Sequence, residues 1–222
     1  MKIHRPENVI PPPLREAVSD IPYWFVIGGN AVRCFCPYRP TRDVDFGVRT
    51  AADLDDLLAQ LEHRGRVELL ERADDTAHLR FDGVNVSVFV LAELTPFVEE
   101  RRLNPTGILA TKLHAILDRG VRRDFFDLYV TLQQHSFGIA ECLAALREVF
   151  RQDVREPLLL RALTYFDDAE REAPLPGEGP RDWATVTEFF EKRVGDLLVP
   201  PGKILEIQRN RVDVLDAPGS SE

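Results

Sequence analysis

The sequence is poor in cysteine, in lysine and in long apolar runs, and each shortage narrows what the chain can be. Three cysteines stand among 222 residues, at 34, 36 and 142, so they cannot all pair with one another. Cys34-Phe35-Cys36 also lacks the spacing of a metal site, and no second Cys pair exists to complete one. Nothing after Met1-Lys2-Ile3-His4-Arg5-Pro6 reads as the apolar core of a secretory signal, so free thiols in a reducing cytoplasm are expected. No run approaches the roughly 20 apolar residues of a membrane span, and no membrane partner is expected. Lysine is scarce for a basic residue: only 4 of the 28, Lys2, Lys112, Lys192 and Lys203, the rest being Arg. Of these, Lys112 alone lies inside an apolar helical pattern.

What is present bounds the rest. With 44% hydrophobic residues and 13 Phe, the chain has ample material for a core, in one large domain or two small ones. The net charge of −9 excludes a general nucleic-acid coat protein, which needs a basic face, but leaves room for a local basic patch. The charge divides as 17 basic against 20 acidic residues in 1–140, and 11 against 17 in 141–222. Polyanion contacts therefore suit the front part better.

Periodicity predicts a short helix after Pro11-Pro12-Pro13 and a buried strand over Tyr23-Trp24-Phe25-Val26-Ile27, ending at Gly28-Gly29. A short helix from Asn30 to about Phe35 follows, then a strand over Asp43–Val48 and a Thr50-capped helix with Leu54, Leu57, Leu58 and Leu61 on one face. Strands are expected near 66–72, 77–82 and 84–91, the last two joined by a hairpin turn at Asp82-Gly83. From Asn104 the pattern is helical, over about 105–118, 121–135, 138–151, 156–171 and 183–198. The class is therefore α+β: a mixed α/β unit over 1–103, a helical lobe over 104–212 with Trp183 and Phe189-Phe190 in its core, and a disordered tail over 213–222.

Asp43 and Asp45 carry the first chemical signal. Residues two apart on a strand share a face, and two carboxylates there repel unless a cation lies between them. Mg²⁺ suits such a pair, since it takes oxygen ligands and keeps substrate phosphates in its shell. Alone, the pair reads more readily as a solvated strand end. Gly28-Gly29 lies between an apolar strand and a helix, where glycine lets backbone N–H groups approach a phosphate. Together these parts place a phosphate cradle beside a metal site, as phosphoryl-transfer chemistry requires.

The segment Phe25-Val26-Ile27-Gly28-Gly29-Asn30-Ala31, followed by Arg39-Pro40-Thr41-Arg42-Asp43-Val44-Asp45-Phe46, resembles the polymerase-β-type nucleotidyltransferase motif. More closely, it resembles that of the AbiEii/AbiGii toxin family. A second segment strengthens the resemblance: Leu109-Ala110-Thr111-Lys112-Leu113-His114-Ala115, then Arg119, then Arg123-Asp124-Phe125-Phe126-Asp127-Leu128. The two motifs cover roughly residues 20–135.

The resemblance implies Mg²⁺ on Asp43 and Asp45, and NTP phosphates held by Gly28, Gly29, Asn30, Arg39, Thr41, Arg42 and Lys112. It also implies a catalytic part for Lys112 and for Asp127, which would orient or deprotonate the acceptor. The product would be an NMP adduct of a tRNA or protein, made by a bacterial toxin with a cognate antitoxin. Arg119, Arg122, Arg123 and Asp124, at the turn between two helices, are candidate acceptor contacts; with Arg101 and Arg102 the arginines would form one basic patch. One position departs from the superfamily pattern: Ser87 stands where a third carboxylate is expected, leaving Asp127 to supply the base. A small-molecule nucleotidyltransferase of the antibiotic-modifying kind and a degenerate binding module are the alternative readings.

Overall fold

The structure, a computed structural model, describes residues 3–41, 43–151 and 155–198. Arg42 and the expected tail over 213–222 lie outside the described residues.

After the proline run, α1 (Pro12–Val18) starts with proline in its first turn, where the missing N–H costs nothing, and buries Leu14, Ala17 and Val18. The apolar strand β1 (Trp24–Val26) is buried along its whole length. It feeds α2 (Gly28–Phe35), β2 (Val44–Val48) and α3 (Ala51–Arg64). Thr50 and Asp53 close a reciprocal capping box at the start of α3, and Leu54, Leu57 and Leu61 form its buried stripe. A meander of β3 (Val67–Arg72), β4 (Thr76–Phe81) and β5 (Val84–Val90) follows. Its tight turn places Asp82 at φ 45° and Gly83 at φ 84°, the left-handed pair that a two-residue hairpin demands.

A second small hairpin, β6 (Val98–Glu99) and β7 (Arg102–Leu103), turns through Glu100 and Arg101 at φ 48° and 63°. Sequence gives no sign of it, since neither turn residue is Gly or Asn. The seven strands form one mixed sheet in the order β3-β4-β5-β2-β1-β7-β6. β2 runs parallel to β5 and β1 parallel to β7; the other pairs are antiparallel.

The helices that follow are α4 (Pro105–Asp118), α5 (Arg122–His135), α6 (Ile139–Phe150), α7 (Glu156–Ala162), α8 (Asp167–Glu170) and α9 (Asp182–Leu198). The single helix expected over 156–171 is broken. Thr164 turns its hydroxyl back to the Leu160 and Arg161 carbonyls, competing with the helical ladder, while Leu163 and Phe166 are both buried. Phe125 anchors the helices, meeting Phe166, Trp183 and Phe190 edge to face. One continuous set of buried side chains runs from α1 and the sheet through α4 to α9. Among the described residues no helix is long and apolar enough to cross a membrane.

Candidate active site

A cleft of about 700 Å³ opens where the polar face of β2, β4 and β5 meets the start of α2 and one side of α4. Asp43, Asp45, Gly28, Gly29, Arg39, Thr41, Lys112, Arg119 and Arg123 all line it. The topology explains the meeting. β2 is central in the sheet, so Asp45 within it and Asp43 just before it lie beside the strand-to-helix turn of its antiparallel neighbour β1 and the polar residues of its parallel neighbour β5.

Gly28 has φ +58°, and a Cβ there would stand 2.7 Å from Asp45 Oδ2. The backbone at α2's first turn thus approaches a carboxylate as only glycine permits. A Cβ on Gly29 would come within 3.0 Å of the Arg39 guanidinium and 3.3 Å of Thr41 Oγ1. Asn30 is buried and donates from Nδ2 to the Asp43 carbonyl at 3.1 Å, so it braces the loop rather than lining the cleft. Thr41 Oγ1 is buried without a hydrogen-bond partner among the described residues.

Asp43 accepts a hydrogen bond from Asn85 Nδ2 at 3.1 Å. Asp45 differs. Burial holds its carboxyl above the usual range, while Lys112, Arg123 and Arg119 act on it only through space and lower it. A desolvated carboxylate with no bonded partner among the described residues, beside a second carboxylate, favours a cation. The donor set is acidic and all-oxygen, as Mg²⁺ prefers, and so fits that ion. It is small, however: among the described residues no group of three or more His, Cys, Asp or Glu gathers. The rest of a Mg²⁺ shell would come from water and phosphate.

Behind the cleft lies a buried ionic network. Lys112 on α4 is flanked by buried Leu109, Leu113 and Ile116, and its Nζ reaches Asp127 Oδ2 at 2.7 Å and Asp124 Oδ1 at 3.2 Å. Arg39 grips Asp127 with Nη2 at 3.0 and 2.9 Å from its two oxygens, and Nε adds a third contact at 3.2 Å. Tyr38 donates its hydroxyl to the same carboxylate. Burial opposes ionisation of Asp127, but Lys112 and Arg39 outweigh it and hold its pKa below the ordinary value. Burial also opposes the charge on Arg39, and Asp127 and Tyr38 together outweigh that too, raising its pKa. Arg119 binds Asp124 through Nε at 2.8 Å and Nη2 at 3.1 Å.

These contacts revise several roles expected from sequence. Asp127 is fully buried, absent from the cleft lining and held by three donors at depressed pKa, a poor proton acceptor. It positions Lys112 and Arg39. Asp124 is likewise buried and saturated by Lys112 and Arg119, not presented to an acceptor. Arg122 leaves the cleft altogether: it stacks on Trp183 at 4.4 Å, and Nε meets Glu178 at 3.0 Å. Its position at the start of α5 turns it towards α8 and α9, away from Arg119 and Arg123.

Nor do the arginines form one patch. Arg101 covers Trp24 and contacts Glu7, and Arg102 lies against Phe35 and binds Glu100. Tyr38, His78 and His114 lie outside the site residues that the motifs single out, yet all three bear on the site. The last two line the cleft, His78 with Nδ1 2.9 Å from Ser87 Oγ and His114 packed on Phe150.

Comparison with known proteins agrees with this architecture. The family model for the nucleotidyl transferase AbiEii toxin of type IV toxin–antitoxin systems matches residues 84–196. The match takes in Lys112 and Asp127 and continues to α9, further along the helices than the motifs alone imply. It leaves Gly28–Asp45 outside, so that part rests on the fold. An uncharacterized protein of Aquifex aeolicus (strain VF5) is 26% identical over 79% of this chain and 88% of its own length. A crystal structure of a candidate nucleotidyltransferase from H. pylori shares the fold, with 16% identity and a TM-score of 0.50 over 82% of this chain and 92% of that one. The antibiotic-resistance factor ANT(2'')-Ia, at 11% identity and TM-score 0.47 over 63% and 88%, is too distant to argue from. With a polymerase-β-type fold and a family match over half its length, the chain belongs to the AbiEii nucleotidyltransferase toxin family of type IV toxin–antitoxin systems.

Proposed function

We propose that the cleft binds an NTP with Mg²⁺ and transfers its NMP to an acceptor, releasing pyrophosphate. The acceptor is an RNA such as a tRNA, with a protein as the alternative, and the chain acts in the cytoplasm as a toxin held in check by a cognate antitoxin. One observation carries the reading. Two carboxylates, Asp43 just before β2 and Asp45 within it, open onto a cleft whose other walls carry Arg39, Lys112, Arg119 and Arg123, and Asp45 is desolvated with no bonded partner among the described residues.

Asp43 and Asp45 would hold the Mg²⁺. When bound, that ion neutralises phosphate charge and favours ionisation of an attacking hydroxyl. Lys112, clamped by Asp124 and Asp127, presents a fixed positive charge to the phosphates at no cost in reorganisation. Gly28 and Gly29 give the phosphates close access to the backbone, and the Thr41 hydroxyl, without a partner among the described residues, would donate to them. Arg39 holds the Gly29 side of the cleft in place through its bond to Asp127.

The test is incorporation of α-labelled NTPs into total cellular RNA and protein with Mg²⁺. Asp43→Ala/Asp45→Ala should lose about 10²-fold or more of the rate. A double variant that labels as fast as wild type would sink the site assignment. Label in protein and not in RNA would select the other acceptor class.

A further inference from the structure

With Asp127 and Asp124 locked in the ionic network and Asp43 and Asp45 committed to the cation, the cleft needs another group to take the proton of the attacking hydroxyl. We infer that Ser87 and His78 form that group, a hydroxyl–imidazole relay. This rests on the nucleotidyl-transfer reading above and goes beyond it by assigning the base.

The sheet register carries the argument. Asp45 on β2 pairs with Ser87 on β5, and Ser87 pairs with His78 on β4, so the three residues form one row across adjacent strands. Partners in a row share a face, and all three line the cleft. Ser87 thus presents the hydroxyl nearest in the ladder to the carboxylate that faces the reacting phosphate. Its Oγ is 2.9 Å from His78 Nδ1. The ring of His78 is steadied edge-on by Phe89, with centroids 5.7 Å apart. Two residues back along the chain on each side, Asn85 holds Asp43. The polar face of β5 therefore serves β2 at two successive inward positions. His114 and Asp118 also border the cleft, but from α4, outside this row.

In the tautomer protonated at Nε2, Nδ1 accepts from the Ser87 hydroxyl, leaving a lone pair of Ser87 Oγ free for the acceptor hydroxyl. As the acceptor oxygen bonds to the α-phosphorus, its proton passes to Ser87 Oγ and the Ser87 proton passes to Nδ1. The bond from the α-phosphorus to the bridging oxygen breaks, and pyrophosphate leaves. Ser87 ends as it began and His78 ends as an imidazolium, which returns its proton to water. Ser87 is the catalytic residue and His78 acts through it.

The experiment measures pyrophosphate release by the full chain with Mg²⁺, NTP and total cellular RNA and protein as acceptors. His78→Asn keeps a hydrogen-bonding group near Ser87 but cannot take a proton, and Ser87→Ala removes the relay. Each should lower kcat by about 10²-fold or more and leave KM for the NTP within about 2-fold. Ser87→Asp placed in the His78→Asn background supplies a direct proton acceptor and should restore most of the rate. Either single variant with wild-type kcat overturns the relay. So does a rescue variant as slow as His78→Asn, because the loss would then be structural. An active His78→Asn beside an inactive Asp43→Ala/Asp45→Ala removes the relay and leaves nucleotidyl transfer standing. A wild-type chain that releases no pyrophosphate removes both.

Discussion

Replacing Asp127 with alanine should cost this protein a large part of its stability, because the residue is the hub of a network with almost no water to replace it. Its side chain is 1% exposed, against 6% for Lys112 and 10% for Arg39. Both cations bind it directly, as does the Tyr38 hydroxyl. Its removal leaves Lys112 with only Asp124, which Arg119 already shares, and leaves Arg39 with Tyr38 and the Pro40 carbonyl. Breaking a buried pair in this way costs about 3–5 kcal/mol. For a chain of this size, that is a fall in Tm of about 6–20 °C.

Thermal unfolding followed by circular dichroism at pH 7 reads it. The pH dependence follows from the sign of the shift. Asp127 has a pKa below its ordinary value of 3.8, so its contribution is present above that value and is lost as pH falls through the folded pKa. The Tm gap between wild type and Asp127→Asn should therefore be full at pH 5 and 7 and close below about pH 3.8. A paired substitution, Lys112→Met with Asp127→Leu, should be less destabilised than the sum of its singles by about 0.5–3 kcal/mol. A drop under about 2 °C for Asp127→Ala, or strict additivity in the pair, would refute the network as described.

Other expectations follow from single contacts. Gly28→Ala meets both a left-handed backbone and the Asp45 carboxylate at 2.7 Å; it should cost about 1–3 kcal/mol and abolish NTP binding by calorimetry, and an alanine variant that binds normally would contradict the close approach. Asp45→Asn removes a carboxylate whose charge burial disfavours, so without Mg²⁺ it should raise Tm by a few degrees while destroying activity, and added Mg²⁺ should reverse the order of the two proteins. Arg122→Ala breaks a buried pair with Glu178 and should lower stability by about 3–5 kcal/mol with kcat retained at a temperature where it is folded, whereas Arg123→Ala should do the opposite.

Much of the site was legible because its parts are local. An apolar strand, Gly28-Gly29 and Asp43-Val44-Asp45 lie within about one strand–helix–strand unit, and their spacing fixes their faces. The meander was legible for the same reason: Asp82-Gly83 names its own turn. That turn also determines the register, since a two-residue loop pairs Phe81 with Val84 and, counting outwards, His78 with Ser87. The His78–Ser87 pair is thus fixed by the hairpin turn itself.

What sequence could not supply was partner choice between distant elements. The parallel pairing that sets Asp45 beside Ser87 joins strands forty residues apart in the chain with no local signal. Lys112 advertises itself as an isolated charge on an apolar helix. Whether it faces Asp124 and Asp127 or solvent depends on how α4 and α5 pack. Arg122 and Arg123 are neighbours in sequence, yet one residue of helix phase, about 100°, sends the first to Glu178 and the second to the cleft.

The central claim is that this cleft moves a nucleotidyl group. Two parallel reactions, with NTP labelled at the α- or the γ-phosphorus, Mg²⁺ and total cellular RNA and protein as acceptors, test it most directly. The account predicts that α-label becomes fixed to macromolecule while γ-label appears only in pyrophosphate, and that Asp43→Ala/Asp45→Ala stops both. Macromolecule carrying γ-label, or none carrying α-label, would contradict it.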